Sequence, residues 1–458
     1  MYPYKNQGPD MTTTLIKNAT LLNEGIRQQS DLLIAQGRIA KIGQNLTAPD
    51  GAQVIDATGK LLIPGMIDDQ VHFREPGLTQ KGSMATESRA AVAGGITSFM
   101  EMPNVNPQTT NAAALEAKYD RAAQVSVANY AFYLGATNDN LEEIKNLDPQ
   151  AACGIKIFMG ASTGNMLVDN RETLEAIFAN AKVPIATHCE DTPMIAANEE
   201  AAKAKFGDAV PMKLHGEIRS REACIKSTKT AIELAKAHGT RLHVLHITTA
   251  EELALFEANK SLDSLSSANI TAEACVHHLY YSDKDYDTLG AQIKCNPSVK
   301  TERDRAAIVD AVKRDVIDII ATDHAPHTWE EKQNTYFKAP SGVPLVQHAL
   351  QSLFEHYHNG DLSLETIVQK TSHAVAERFN LKDRGYLREG YWADLVLVDL
   401  DKPYTVSKDN ILYKCNWSSF EGHTFRSSIE STWVGGIRVF DGSNATSEPV
   451  GQRLQFDR

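Results

Sequence analysis

Short runs of alternating apolar and polar residues open the chain: TLIKNATLLN, SDLLIAQGRIAKIG and AQVIDATGKLLIPG, all within residues 1–63. Each is bounded by Gly, Asn or Pro, the punctuation of strands joined by tight turns. The same texture returns after residue 381, in GYLREGYWADLVLVDLDKPYTV and SSIESTWVGGIRVFDG. Between these ends the pattern changes. Eight apolar, β-rich runs (MIDDQVHFRE, ITSFMEMPN, VANYAFYLGA, CGIKIFMGA, VPIATHCED, RLHVLHITT, NITAEACVHHLYY and VIDIIATDHAP) alternate with stretches of helical period such as SREACIKSTKTAIELAKAHG. Strands separated by helices predict βα units around parallel strands. Eight of them predict an α/β chain with a closed (β/α)8 TIM barrel over residues 64–380. The two similar ends, 1–63 and 381–458, are expected to join in a small β-sandwich domain.

The polar, reactive residues sit at the C-terminal ends of the apolar runs, the face that carries the active site in such barrels. A doubly wound open sheet also places ligands at strand C-termini, but it would not unite residues from the first, fourth, fifth, sixth and eighth runs. Those residues are Gln70 and His72, two apart and so on one face of a strand, with Lys156, His188, His246 and Asp323. A lone His on an apolar strand is ordinarily a hydrogen-bonded core residue. Several imidazoles, a carboxylate and a lysine at one barrel mouth instead suit zinc or a similar divalent metal. Lys156, in GIKIFMG, buries an ammonium in an apolar strand, which is costly unless it is paired or neutralised. An ion pair with a neighbouring acid is one explanation, and carboxylation by CO2 to a metal-bridging carbamate is the other. Asp323 can serve as general base and acid beside a metal, or simply cap the following helix. His324 and His327 follow on the same loop, and His277 and His278 are assigned to structure.

Composition narrows the class. The chain has 458 residues, 42% hydrophobic and 23% charged, with a net charge of −12 and no basic run. The electrostatic footprint of a nucleic-acid binder is missing, so a small-molecule partner is expected. No run of about 18 apolar residues suggests a membrane span, and the N-terminus lacks a signal-peptide layout. A cytoplasmic protein is expected, with Met11 an alternative start after a dispensable extension. Six scattered cysteines without a CxxC pair predict reduced thiols, and Cys189 reads as a small buried hydrophobe.

The motifs VHFREPG, AAVAGGITSFMEMPN, GIKIFMG, HCED, LHVLHITT, HHL, CNPSVKTERDR through IATDHAPH, and REGYWADLVLVD resemble the dihydroorotases of the amidohydrolase superfamily from about residue 12 to about residue 445. The resemblance implies reversible cyclisation of N-carbamoyl-L-aspartate to L-dihydroorotate in pyrimidine biosynthesis. It also implies Zn2+, one or two ions per chain, bridged by carboxylated Lys156. His72 and Asp323 would complete one metal, His188 and His246 the other, and the metals would supply a hydroxide whose proton Asp323 takes and returns to the departing nitrogen. Arg74, Asn104 and His327 match contacts to a substrate carboxylate, and Asn296 a further substrate contact. Locally, Arg74 has the planar fork for that task, although a rim ion pair with Glu75 would explain it too. Asn104 has a plain reading as a turn residue.

Allantoinases and hydantoinases share the scaffold, but FREPG and EMPN stand here as in dihydroorotases. The family has His where this chain has Gln70. A Gln oxygen is a poorer zinc donor than imidazole, so weaker occupancy of that metal and retained catalysis are expected. The contrasting reading is a non-catalytic subunit supporting aspartate transcarbamoylase. Family habit further suggests a homodimer. The segment TWEEKQNTYFKAPSG is expected to close over the site as a mobile loop, with Ser341 and Gly342 touching the ring.

Overall fold

The computed structural model describes residues 13–160 and 166–458. The expected N-terminal extension and the end of the fourth apolar run at Ala161 lie outside the described residues. Five strands come first: β1 (Thr14–Asn23), β2 (Ile26–Ala35), β3 (Arg38–Gly43), β4 (Gln53–Asp56) and β5 (Leu61–Pro64). The β1–β2 and β2–β3 hairpins turn through Glu24-Gly25 and Gln36-Gly37, and all four residues have positive φ. Such two-residue turns match the twist of the strands they join.

Nine strand segments then form the parallel part: β6 (Met66–Val71), β7 (Ile96–Glu101), β8 (Asn129–Phe132), β9 (Leu134–Gly135), β10 (Ile155–Phe158), β11 (Ile185–His188), β12 (Leu242–Val244), β13 (Ile270–Cys275) and β14 (Ile319–Ala321). β8 and β9 are two halves of the third apolar run, one paired with β7 and the other with β10. Neighbours are parallel from β6 to β8 and from β9 to β14. The ring closes where Val71 bridges His324 in parallel and the His72 amide donates to the His324 carbonyl at 2.7 Å. Beneath that seam the Thr322 hydroxyl and amide donate to the buried Asp68 carboxylate at 2.6 and 3.1 Å. Every residue of β6, β7, β10 and β11 is buried, as expected for parallel strands covered by helices on one face and filled on the other. The covering helices start at polar caps; Thr301, for example, accepts from the Asp304 amide while the Asp304 side chain answers the Thr301 amide.

The ends of the chain meet edge to edge. β15 (Leu395–Asp399) pairs antiparallel with β5, placing Leu397 opposite Leu62. β16 (Tyr404–Thr405) and β17 (Thr424–Phe425) form a separate ribbon, and β18 (Ser428–Val434) and β19 (Ile437–Phe440) extend the β15 edge. The outcome is one eight-stranded sheet with the ribbon beside it. The two similar ends of the chain therefore join, through β5 and β15, in one hydrogen-bonded sheet. Alternation along β5 and β15 sends Leu62 and Leu395 to a cluster with Ile16 and Trp433. Leu61, Ile63, Val396 and Val398 go to the cluster that contains Val71 and Phe99 of the barrel. Among the described residues no helix is long and apolar enough to cross a membrane.

Candidate active site

Every site residue predicted from the sequence, except His327, lines one cleft at the C-terminal ends of the barrel strands, with about 420 Å³ of empty space. His327 borders the adjoining hollow, which it shares with Arg74, Asn104 and Lys81. Three of the residues, Arg74, His246 and Asp323, have φ of 70°, 41° and 50°. L-residues rarely adopt that conformation, and strain of this kind concentrates where a side chain must be aimed.

The hydrogen bonds around His72 and His188 leave one lone pair of each ring facing inward. His72 Nδ1 is 2.8 Å from Asn104 Oδ1, an acceptor, so Nδ1 carries the proton and Nε2 presents its lone pair to Asp323 Oδ1 at 3.2 Å. His188 Nε2 donates to Glu190 Oε2 at 2.9 Å, which leaves Nδ1 facing His246 Nε2 at 3.1 Å. Glu190 in turn accepts from Arg219 at 2.5 Å. Burial opposes the Glu190 carboxylate, but Arg219 and His188 hold its pKa at about 2. Burial also lowers His72 and His188, and it drives His246 well below the usual imidazole range, helped by His188 and Lys156. Across the 3.1 Å contact two neutral imidazoles can share one N–H or turn both lone pairs to a cation. Two zinc bonds of about 2.0–2.1 Å reach across such separations, and a carboxylate behind a ligating imidazole is the usual support of a metal site. The donor set therefore fits a divalent metal on both sides of the cleft.

Lys156 is 1% exposed and makes no ion pair among the described residues. Its amine lies 4.8 Å from the Phe158 ring, and burial lowers its pKa to about 8 against the pull of Asp323 and Glu273. The ion-pair explanation of this lysine thus has no partner. Gln70 turns its amide nitrogen to Asp323 Oδ1 at 3.1 Å and its oxygen toward the Cys275 thiol at 3.7 Å. That orientation makes Gln70 a hydrogen-bond donor to Asp323; its oxygen is not directed as a ligand's would be. Asp323 caps no helix, because Thr328 caps the helical turn Trp329–Lys332 that follows.

Arg74 is 3% exposed. Its Nε donates to the Pro326 carbonyl at 3.0 Å and Nη2 lies 3.1 Å from His327 Nε2. Among the described residues no carboxylate pairs with it. The expected rim partner, Glu75, pairs with Arg121 at 2.7 Å instead. Burial pushes the Arg74 guanidinium down to about 10. With its amide oxygen turned toward Arg219, the orientation its neighbours favour, Asn296 accepts from Nη2 at 3.1 Å and donates to Ser341 Oγ at 3.0 Å. In the loop over the site the buried Lys332 amine donates to the carbonyls of Lys294, Pro340 and Gly342. His324 is structural, bonded to Glu87 at 2.9 Å and to the Leu345 amide at 2.9 Å. His278 bonds the Pro297 carbonyl at 3.0 Å.

Sequence reasoning did not single out Glu190, Arg219 or Lys81. Glu190 follows His188 by two positions, and that spacing could have suggested a supporting carboxylate. Arg219, from the turn after the short helix His215–Ile218, carries no local signal, since its partner is 29 residues away. Lys81 donates to His327 Nδ1 at 3.0 Å and pairs with Glu331 at 2.9 Å.

A model of the amidohydrolase family matches residues 61–439. A dihydroorotase of Halobacterium salinarum is 33% identical over 436 residues, covering 94% of this chain and 98% of that protein. An allantoinase of Bacillus velezensis is 30% identical over 449 residues, covering 96% and 97%. Among solved structures, the L-hydantoinase (dihydropyrimidinase) of Arthrobacter aurescens superposes with a TM-score of 0.90 at 26% identity, over 97% of this chain and all of that one. The parallel-stranded barrel, its mouth lined by converging imidazoles and a carboxylate, and a family match over most of the chain agree: this protein belongs to the amidohydrolase family.

Proposed function

We propose that the protein is a dihydroorotase: a zinc-dependent hydrolase that opens and closes the ring between L-dihydroorotate and N-carbamoyl-L-aspartate. The observation that carries this reading is Arg74, a buried guanidinium with no carboxylate partner among the described residues, placed beside the metal-ligand set. A buried, uncompensated charge calls for a ligand of opposite sign. Dihydroorotate carries a free carboxylate, whereas the allantoin and hydantoin rings do not. The similarity to dihydroorotases over most of the chain supports the same choice.

In this reading His72 and Asp323 would hold one metal and His188 and His246 the other, with Lys156 as a carbamate supplying a further anionic ligand; its pKa of about 8 leaves a share of neutral amine to react with CO2. Bound divalent metal supplies Lewis acidity, lowering the pKa of water and polarising a carbonyl. The chain's own residues do the rest. Arg74, Asn104 and His327 grip the substrate carboxylate; Asn104 has its amide nitrogen to offer, because its oxygen already accepts from His72. Asn296, held by Arg219, faces the same cleft and contacts the ring. Asp323 removes a proton from the attacking water and delivers it to the departing ring nitrogen; ring closure runs the same transfers backward and releases water. Gln70 keeps Asp323 oriented.

The test is turnover by zinc-loaded protein of carbamoyl aspartate, dihydroorotate, allantoin and hydantoin side by side, with Asp323→Ala as control. Turnover confined to the first two, and lost in the variant, is expected. Turnover of the neutral rings alone refutes the substrate, and no turnover with metal bound refutes catalysis in favour of a supporting subunit.

A further inference from the structure

Below the cleft, the barrel interior holds ionisable side chains that the proposed reaction does not use. Asp69 on β6, His243 on β12 and Glu273 on β13 are each 0% exposed. One ligand-type atom from each lies within 4.8 Å of the others. His243 Nε2 is 3.0 Å from Asp69 Oδ2 and 3.6 Å from Glu273 Oε2.

The outer atoms of this group are satisfied and the inner ones are not. Thr271 Oγ1 gives its own hydrogen to the Leu242 carbonyl at 3.4 Å and stands 2.8 Å from His243 Nδ1, so Nδ1 is the proton donor. The His246 amide and the Cys275 thiol donate to Glu273 Oε1 at 3.0 and 3.4 Å. Both Asp69 oxygens, Glu273 Oε2 and His243 Nε2 have no hydrogen-bond partner. The 3.0 Å contact between Asp69 and His243 is therefore close yet off the axis a hydrogen bond needs. With Nδ1 already carrying a proton, His243 Nε2 faces two carboxylates; burial opposes charge on the ring, but Asp69 and Glu273 outweigh it and raise the His243 pKa to about 8, so a proton and a cation compete for that one nitrogen. Buried groups of that kind are strongly unfavourable unless a cation sits among them. An ion pair through the Nε2 proton is poorly made here, because Nε2 points along neither contact.

We propose that Asp69, His243 and Glu273 bind a divalent zinc-like cation in the barrel interior, distinct from the metals of the cleft. One imidazole and two carboxylates suit a borderline first-row ion, and two bonds of about 2.0–2.2 Å span both observed separations. A doubly charged ion balances the two carboxylates. It would fasten β6, β12 and β13 across the interior, one layer beneath Gln70, which touches the same Cys275 thiol. The role is structural and does not depend on the substrate assigned to the cleft.

The experiment is a crystal of the full-length, zinc-loaded protein, with anomalous differences measured on both sides of the zinc edge. A peak enclosed by Asp69, His243 and Glu273 is expected, besides any in the cleft. Metal analysis supplies the second arm. Glu273→Gln is expected to lose one equivalent of zinc, while His188→Ala, which disables the cleft, keeps that equivalent. Cleft peaks without an interior peak overturn the proposal and leave His243 as a protonated ion-pair partner. If Glu273→Gln fails to fold, the wild-type crystal still decides. Activity enters neither arm, so failure of the dihydroorotase reading and failure of this site are separate results.

Discussion

Replacing Arg74 by Met tests the substrate assignment at its physical root. In the free protein Nε is engaged by Pro326, while His327, accepting from Lys81 at Nδ1, gives its Nε2 hydrogen to the Ser341 carbonyl at 3.0 Å beside Nη2; the Nη1 and Nη2 hydrogens of Arg74 are left for a ligand. That is enough for a bidentate grip on a carboxylate. Hydrogen bonds to charged groups contribute about 1.5–3 kcal/mol each, so two are worth about 3–6 kcal/mol. At about 1.4 kcal/mol per tenfold, kcat/KM for dihydroorotate falls roughly 10²–10⁴-fold. Stability moves the other way or not at all, because burial already opposes this cation and pushes its pKa down to about 10. Any residual hydrolysis of a neutral cyclic amide should be spared. The assay pairs steady-state kinetics on dihydroorotate and hydantoin with a thermal melt of the same preparation. A loss below tenfold on dihydroorotate, or equal losses on both rings in a protein that melts normally, would refute the argument that Arg74 exists to meet a carboxylate.

Other consequences follow from the same geometry. Glu190→Gln removes the carboxylate charge that supports His188; zinc affinity of that side should drop about 10–100-fold in chelator competition, and unchanged affinity would contradict the supporting role. Lys81→Met frees the His327 ring from the donor that keeps Nδ1 an acceptor, so KM for dihydroorotate should rise several-fold (roughly 1 kcal/mol of one hydrogen bond) with kcat little changed; a fall in kcat alone would count against it. The imidazoles of His72, His188 and His246 have pKa values lowered by burial, so the unfolded chain binds their protons first. Metal-free protein should hold its melting temperature above the unfolded imidazole pKa of about 6.5 and lose it as pH falls below; a melting temperature that rises on acidification would reverse the sign of the reasoning.

The barrel was legible because its signal is periodic. Apolar runs such as ITSFME and IKIF are buried at every position, and the turns and caps between them carry their own chemistry. The mouth residues were legible because a strand's C-terminal end is a local property. What the sequence hid is long-range and directional. Arg219 reaches Glu190, and Lys81 reaches His327 across 246 positions; no short-range pattern encodes either pairing. The terminal sheet shows the same limit. Alternation announced its strands, but which of them pair, as Leu62 does with Leu397, depends on a contact between the two ends of the chain. Domain texture was readable, and its register was not.

Gln70 illustrates how a single departure is absorbed by its surroundings. An imidazole there would offer a lone pair to a metal; the amide offers hydrogens to Asp323 and an oxygen to Cys275. In the proposed site the first metal then rests on His72, Asp323 and the Lys156 carbamate, two of them anionic, so the lost donor is the neutral and least attractive part of the set. Meanwhile Asp323, held at a φ of 50° at the barrel seam, gains a partner that restrains the very oxygen facing His72. In the proposed reaction a restrained Asp323 would favour turnover even with a weaker metal ligand set, because its orientation is preserved at the moment of transfer. The substitution therefore trades occupancy for alignment on one side of the cleft and leaves the His188–His246 side untouched. A chain shedding its catalytic function would have no reason to keep Glu190, Arg219 and Asn104 aimed at the remaining ligands, and here each of them is hydrogen-bonded in place.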